Sequence, residues 1–420
     1  MTTKNKILHA AEIKGTITAP ASKSIIQRFI AIAALTKGRS ILHGYTPCND
    51  SKAALQIAKD LGAEVLSDGN KVIINGNFKP VSRTLNCGES GLGLRMFAPI
   101  AALWNSPVTL TGEGSLKTRP VGMLEQPLSD MGIMIKTYNG TLPVEVCGPF
   151  KGGISILNGS ISSQILTGLL IASPLAVSDT TILVRDLKSK PYIDMTIQIM
   201  ADFGVEALHD EYETFTIKSG QRYSEREYTA EGDWSGASFL LVAGALGGSV
   251  TVENLSTDSK QADSAVLKVI EDAGAIVTVT RENVKVEKNE LNAFEFDATE
   301  SPDLFPPLVA LAAHCNGVSG IKGVSRLKHK ESDRATVLMN EFAELGTNIE
   351  IGDDTMFVYG GTFKGGKLNS NNDHRIAMAG AVASILSEEP VMIEDYGCVA
   401  KSYTDFFKDL EKISNPAVMV

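Results

Sequence analysis

Cations recur along this chain at a near-constant interval, and some stand where a helix is due to begin. Arg119, Lys190, Lys260, Lys330 and Lys401 are separated by 71, 70, 70 and 71 residues, each just ahead of a helical segment. Lys23 with Arg28, and His374 with Arg375, open two further apolar segments, while Ser162, Ser163 and Gln164 open a third. Bare amides at a helix N-terminus, hydroxyls beside them and a cation in reach make an anion site. Several Arg and Lys together suit a small ligand with multiple negative charges, because a guanidinium pairs with carboxylate or phosphate through two bonds at once. Two carboxylates sit among these cations, Asp303 in SPDLFPP and Glu331 in KHKESDR. Flanked by Lys328, Lys330 and Arg334, Glu331 reads as an ion-pair partner or as a group that moves a proton to or from a substrate.

The elements that must position these residues are repeated. An apolar residue, a Gly and a short strand-like tail recur as LGAEV, MGIMI, FGVEA, AGAIV and LGTNI, with Gly62, Gly132, Gly204, Gly274 and Gly346 spaced by 70, 72, 70 and 72 residues. Each follows an apolar helix, so the glycines read as helix stops. A second helix recurs in phase, starting near 22, 90, 162, 234, 301 and 372, and is nearly all apolar beyond its first turn. Such a helix is expected to be buried on most sides. Five of these six segments open with Ser24, Ser90, Ser162, Ser235 or Ser301, and the sixth with Asn372 and Asp373; capping of free amides is the plain reading for most. Alternating branched segments such as VTLTG, TTILV and SVTVENL read as strands. The expected fold class is α/β built from six repeats: one domain of three over 22–233, and a second of three over 1–21 plus 234–420, completed by the N-terminal strand.

With 420 residues, 43% hydrophobic and 21% charged, the composition is that of a globular protein of two domains. No apolar run reaches the roughly 18 residues of a membrane span, so a soluble protein with no membrane partner is expected. The opening MTTKNKILHAAEIKG lacks a signal core, which points to the cytoplasm. Cys48, Cys87, Cys147, Cys315 and Cys398 are odd in number and form no CxxC pair, so they read as reduced thiols. A formal charge of -10 excludes nucleic acid as a natural partner, and anionic ligands must be held by local charge. No nucleotide P-loop is present, and GESGLGLR at 88 lacks the acid that would complete a dinucleotide fingerprint.

The segments APASKSIIQR, GEGSLKTRP, NGSISSQILTGLL, SKPYIDMT, EGDWSGAS, SPDLFP, KHKESDR, NNDHRIAM and CVAKSYTDFF, in this order, resemble the 5-enolpyruvylshikimate-3-phosphate (EPSP) synthase family over essentially the whole chain. The resemblance implies two domains, each of three βαβαββ units forming an inside-out α/β barrel, that close over the substrates. It implies transfer of the carboxyvinyl group of phosphoenolpyruvate to the 5-hydroxyl of shikimate 3-phosphate by a monomer, with no metal and no organic cofactor. Carried over residue by residue, Lys23, Gly91, Arg119, Arg334, Arg375 and Lys401 would bind phosphoenolpyruvate. Lys23, Ser24, Arg28, Ser162, Ser163, Gln164, Ser189, Tyr192, Asp303 and Lys330 would bind shikimate 3-phosphate. Glu331 would protonate C3 and take the proton back, Asp303 would accept the hydroxyl proton, and Lys23 is a further proton-transfer candidate.

Three positions depart from the family pattern. Glu89 stands where Asn is common and Leu92 where Thr is common, which predicts an altered response to the inhibitor glyphosate; Arg326 occupies a place where some members have Asn. The sister transferase acting on UDP-N-acetylglucosamine is the nearest alternative, but its characteristic loop cysteine has no counterpart in GEGSLKTRP. A non-catalytic sensor of phosphorylated metabolites is the alternative of another class, and loss of Asp303, Glu331 or a cation would favour it.

Overall fold

The computed structural model describes residues 5–281 and 283–415; the first four residues of the segment read for a signal, and residues 282 and 416–420 of the second expected domain, lie outside the described residues. Two compact units are present, one spanning 21–230 and the other 5–20 with 231–415.

In the unit 21–230 one plan of sheet occurs three times. Gly153–Asn158 pairs parallel with Thr180–Arg185, which pairs antiparallel with Thr214–Ile217, which pairs antiparallel with the edge strand Leu208–Asp210. Thr84–Asn86, Val108–Thr111, Thr141–Cys147 and Met134–Tyr138 repeat the order. The remaining sheet takes its parallel strand from the end of the unit, where Glu227–Thr229 pairs with Arg39–His43.

The unit 5–20 with 231–415 follows the same plan. Glu12–Thr18 pairs parallel with Gly248–Glu253, and Asn5–Leu8 pairs antiparallel with Val391–Glu394. Strands that bury one face alternate inward Val, Ile or Leu with outward polar residues, as Val284 and Val286 do in Asn283–Glu287.

All six apolar helices are present, at Lys23–Leu35, Gly91–Ala101, Gln164–Ala172, Trp234–Gly247, Phe305–Ala312 and His374–Ala383. They are buried nearly all round, as their patterns predict, and form the core that each unit's sheets cover. The second helices, among them Asn49–Asp60, Lys190–Asp202 and Arg334–Glu344, carry one apolar face. The five glycines that follow them have φ between +74° and +107°, the left-handed conformation that a helix stop demands and that a Cβ disfavours.

Serine capping is less general than the sequence suggests. Among the described residues only Ser90 accepts from its helix in the usual way, from Gly93 N at 3.0 Å, while Ser162 Oγ reaches Gln164 N at 3.2 Å. Asp233, not Ser235, caps Trp234–Gly247, and Asp373 caps His374–Ala383, each through a 3.0 Å bond. A carboxylate in that place also answers the positive end of the helix dipole.

Candidate active site

Arg334, the first residue of Arg334–Glu344, exposes none of its side chain and divides its guanidinium among three carboxylates. Nη1 donates to Asp303 Oδ1 at 2.9 Å, Nη2 to Glu331 Oε2 at 2.6 Å and to Asp373 Oδ1 at 3.2 Å, and Nε to Asp373 Oδ2 at 2.9 Å. Asp303 also receives Lys330 Nζ at 3.1 Å and Arg375 Nη2 at 3.2 Å. Arg375 in turn lies 2.9 Å from His374 Nε2, and Ser332 donates to Asp373 at 3.1 Å.

Thus Asp303, Lys330, Glu331, Arg334 and Arg375 form one bonded cluster. Burial alone would push the Asp303 carboxyl up, but Arg375, Lys330 and Arg334 outweigh it and hold it well below the usual carboxylate range, with Glu331 opposing them. Burial draws the Lys330 ammonium down despite the pull of Asp303. For Arg334 the carboxylates of Asp373, Glu331 and Asp303 overcome burial and fix the charge more firmly. Lys401 is buried at the end of the short helix Tyr396–Lys401, which packs on His374–Ala383.

In the unit 21–230 the starts of the three apolar helices are tied by the few polar side chains they carry. Gln27 Nε2 donates to Ser90 Oγ at 3.1 Å, Arg95 Nη1 to Gln164 Oε1 at 2.9 Å, and Arg28 Nη2 to Thr167 Oγ1 at 3.3 Å. Arg28 is buried with 2% exposure, and its other bonds go to Thr196 Oγ1, Ser24 O and Tyr192 O, all neutral oxygens. Burial therefore lowers its pKa to about 10, and an arriving anion would restore what desolvation takes away. Lys23 pairs with Asp50 at 3.1 Å, and Ser189 is buried at φ +57°, an uncommon conformation for a residue with a Cβ.

Gly91 opens the helix Gly91–Ala101 and is buried. A Cβ there would meet Arg119 Nη1 at 2.7 Å and Arg95 Nη1 at 2.9 Å, so the missing side chain is the space two guanidiniums occupy. Arg95 also donates to Pro120 O at 3.1 Å, bracing the loop that carries Arg119. Glu89 accepts from Ser115 in the same loop, and Leu92 packs half-buried against the core. Arg326 is half-buried, its charge answered by Glu300 and Asp303.

Not every recurring cation is buried. Lys190 and Lys260 are exposed, and Lys190 lies over the Tyr212 ring at 5.3 Å. Conversely, the sequence reading passed over Arg95 and Gln27, polar residues inside apolar helices, and gave Asp373 only a capping role. The helix starts also differ between units. Asp233, Asp303 and Asp373, each 70 residues apart, stand at those of the unit containing Arg334, whereas Ser22, Ser90 and Ser163 hold the corresponding places in the other. Among the described residues, no group of three or more His, Cys, Asp or Glu could hold a metal ion, and no helix is long and apolar enough to cross a membrane.

The fold is that of the enolpyruvyl transferases. It matches a structure of EPSP synthase from Acinetobacter baumannii with a TM-score of 0.82 at 24% identity, covering 100% of this chain and 99% of that one. The enolpyruvyl transferase NikO from Streptomyces tendae matches with a TM-score of 0.78 at 16% identity over 97% of each chain. The family model described as EPSP synthase (3-phosphoshikimate 1-carboxyvinyltransferase) matches residues 8–410. Curated relatives named 3-phosphoshikimate 1-carboxyvinyltransferase include one from Clostridium novyi, 37% identical over 96% of both chains. Another, from Methanocorpusculum labreanum, is 37% identical over 97% of this chain and 98% of its own. This chain belongs to the EPSP synthase family.

Proposed function

We propose that the protein transfers the carboxyvinyl group of phosphoenolpyruvate to the 5-hydroxyl of shikimate 3-phosphate, releasing phosphate. The observation that carries this reading is the Arg334 node, where one buried guanidinium holds Asp303 and Glu331 beside Lys330 and Arg375. In the first step the acceptor oxygen bonds to C2 while C3 gains a proton; in the second C3 loses it and the C2–O bond to phosphate breaks. Both steps need a carboxyl that carries a proton at C3 and cations that take up charge on the departing phosphate.

Glu331 is assigned the C3 proton, Asp303 the hydroxyl proton, and Lys23 a supporting proton transfer. Arg119, Arg334, Arg375, Lys401 and Lys23, with Gly91, are assigned to phosphoenolpyruvate. Ser24, Arg28, Ser162, Ser163, Gln164, Ser189, Tyr192 and Lys330 are assigned to the acceptor. Substrate anions engaging Arg375 and Arg334 offset those charges and so raise the proton affinity of Asp303 at the moment it must accept a proton. The five free cysteines favour a reducing compartment, and the cytoplasm is the proposed location.

The full chain, incubated with both substrates, should release phosphate and form the enolpyruvyl ether seen by mass spectrometry. No release above a control lacking acceptor sinks the reading, and release with UDP-N-acetylglucosamine instead would transfer it to the sister reaction.

Gly91→Ala tests the donor assignment. The added methyl must displace Arg119 or Arg95, so the Michaelis constant for phosphoenolpyruvate should rise roughly tenfold while kcat changes little. An unchanged constant would remove Arg119 from the donor site.

A further inference from the structure

Arg28 is buried at 2% exposure, and among the described residues it bonds only to neutral oxygens. A buried charge ordinarily has a partner of opposite sign, so a guanidinium held without one suits an anion that arrives and leaves. Its neutral holders include two threonines from two other helices, Thr167 on Gln164–Ala172 and Thr196 on Lys190–Asp202, neither of which exposes any surface.

The protons in this network have a fixed order. Arg28 Nε donates to Thr196 Oγ1 at 2.8 Å and Nη2 to Thr167 Oγ1 at 3.3 Å, and the two hydroxyl oxygens lie 3.2 Å apart. Thr196 gives its own proton to Tyr192 O, one turn back in its helix, at 2.8 Å. A hydroxyl has one proton and two lone pairs, so Thr196 meets Arg28 and Thr167 as an acceptor of both. The proton between the threonines therefore belongs to Thr167, and Arg28 faces lone pairs on each. Tyr192 O accepts from Nη2 at 3.2 Å and Ser24 O from Nη1 at 2.9 Å. Nη1 carries a second N–H, which has no acceptor among the described residues.

We propose that Thr196 is a positioning residue for the acceptor substrate: its hydroxyl fixes the plane of the Arg28 guanidinium and so leaves the second Nη1 N–H for an oxygen of the ligand. The proposal rests on the assignment of Arg28 and Tyr192 to shikimate 3-phosphate. Being wholly buried, Thr196 acts through Arg28 and touches no ligand. Through Tyr192 O the same hydroxyl also ties Lys23–Leu35 to the helix that carries Tyr192.

Thr196→Val keeps the shape of the side chain and removes its oxygen. In the full chain, the Michaelis constant for shikimate 3-phosphate is expected to rise about tenfold, with kcat and the constant for phosphoenolpyruvate within about twofold of wild type. Thr196→Ser, which restores the oxygen, should lie within about threefold of wild type on every constant. A loss shared by both substrates, or valine and serine variants that behave alike, means mere repacking and overturns the proposal.

Calorimetric titration with shikimate 3-phosphate alone is free of turnover. The Kd should weaken about tenfold in Thr196→Val but no further when the valine is added to Arg28→Met, because nothing is then left for Thr196 to orient. An unchanged Kd, or the same factor in both backgrounds, overturns the proposal alone. A wild type that does not bind shikimate 3-phosphate overturns the transferase reading and the proposal with it. Should the valine variant not fold, nitrogen NMR of wild type decides: the arginine Nε–H resonance missing from Arg28→Met should be protected from solvent exchange without ligand, and a freely exchanging one overturns the proposal.

Discussion

Glu331→Gln is expected to cut turnover by about 100- to 10,000-fold, the usual range for removing a general acid–base group. The amide keeps the shape of the side chain, and its oxygen can still accept from Arg334 Nη2, which the carboxylate does now at 2.6 Å. Arg334 also keeps its bonds to Asp303 and Asp373, so the fold and the substrate dissociation constants should change little. What the amide cannot do is carry a proton to C3 and recover it. Steady-state kinetics with single-turnover mixing would separate binding from chemistry. Turnover within a few-fold of wild type would make Glu331 an ion-pair partner of Arg334 and nothing more.

Arg334→Met should damage stability as well as chemistry. The substitution leaves Asp303, Glu331 and Asp373 without the guanidinium that binds all three. Breaking a buried pair by removing one partner typically costs about 3–5 kcal/mol, a large share of the roughly 5–15 kcal/mol that holds a domain folded. The pH dependence has a definite sign. The folded-state pKa of Asp303 lies below its unfolded value, so its ion pairs stabilise the fold above the unfolded value and that contribution fades as pH falls through the folded one. The deficit of Arg334→Met should thus be full at neutral pH and narrow once pH drops below about 4. Trp234 is buried in this unit and Trp104 lies in the other, so urea unfolding of Arg334→Met in a Trp104→Phe background reports on the affected unit. A Trp234 transition unmoved by the substitution would show that the three carboxylates are held by other means.

The positions of the elements were legible because the six core helices are almost wholly apolar and their companions stop at glycine. Burial and chain reversal are written locally, in the residue types of one segment. The cations at Lys23, Arg28 and Arg375 were legible for a related reason, since they stand at the openings of runs that are otherwise apolar, whereas Arg334 was singled out beside Glu331 and by the family resemblance. Bonds between segments were not legible. Asp373 looked like a cap and is one, yet its second oxygen belongs to Arg334, 39 residues away. Arg95 ties Gln164 to the loop after Arg119, partners 69 and 25 residues distant. Periodicity predicts that helix starts recur, but which of them face a common point depends on sheet order. Lys190 and Lys260 kept the period and are nevertheless exposed, Lys190 beside the Tyr212 ring.

The strand Glu12–Thr18 lies between Gly248–Glu253 and Ser414–Asn415, and this bears on the order in which the chain can fold as it is made. Every sheet of the unit 21–230 has its partners once residue 229 has been synthesised, because the last strand returns to Arg39–His43. The other unit must keep residues 5–18 unpaired while more than 200 residues are added, for its strands close only on partners at 248–253, 391–394 and 414–415. Loop-closure entropy rises only slowly with such separations, but the waiting strand presents an open edge throughout translation. One unit can therefore be finished on the ribosome while the other, which holds Arg334 and both assigned carboxylates, is completed last.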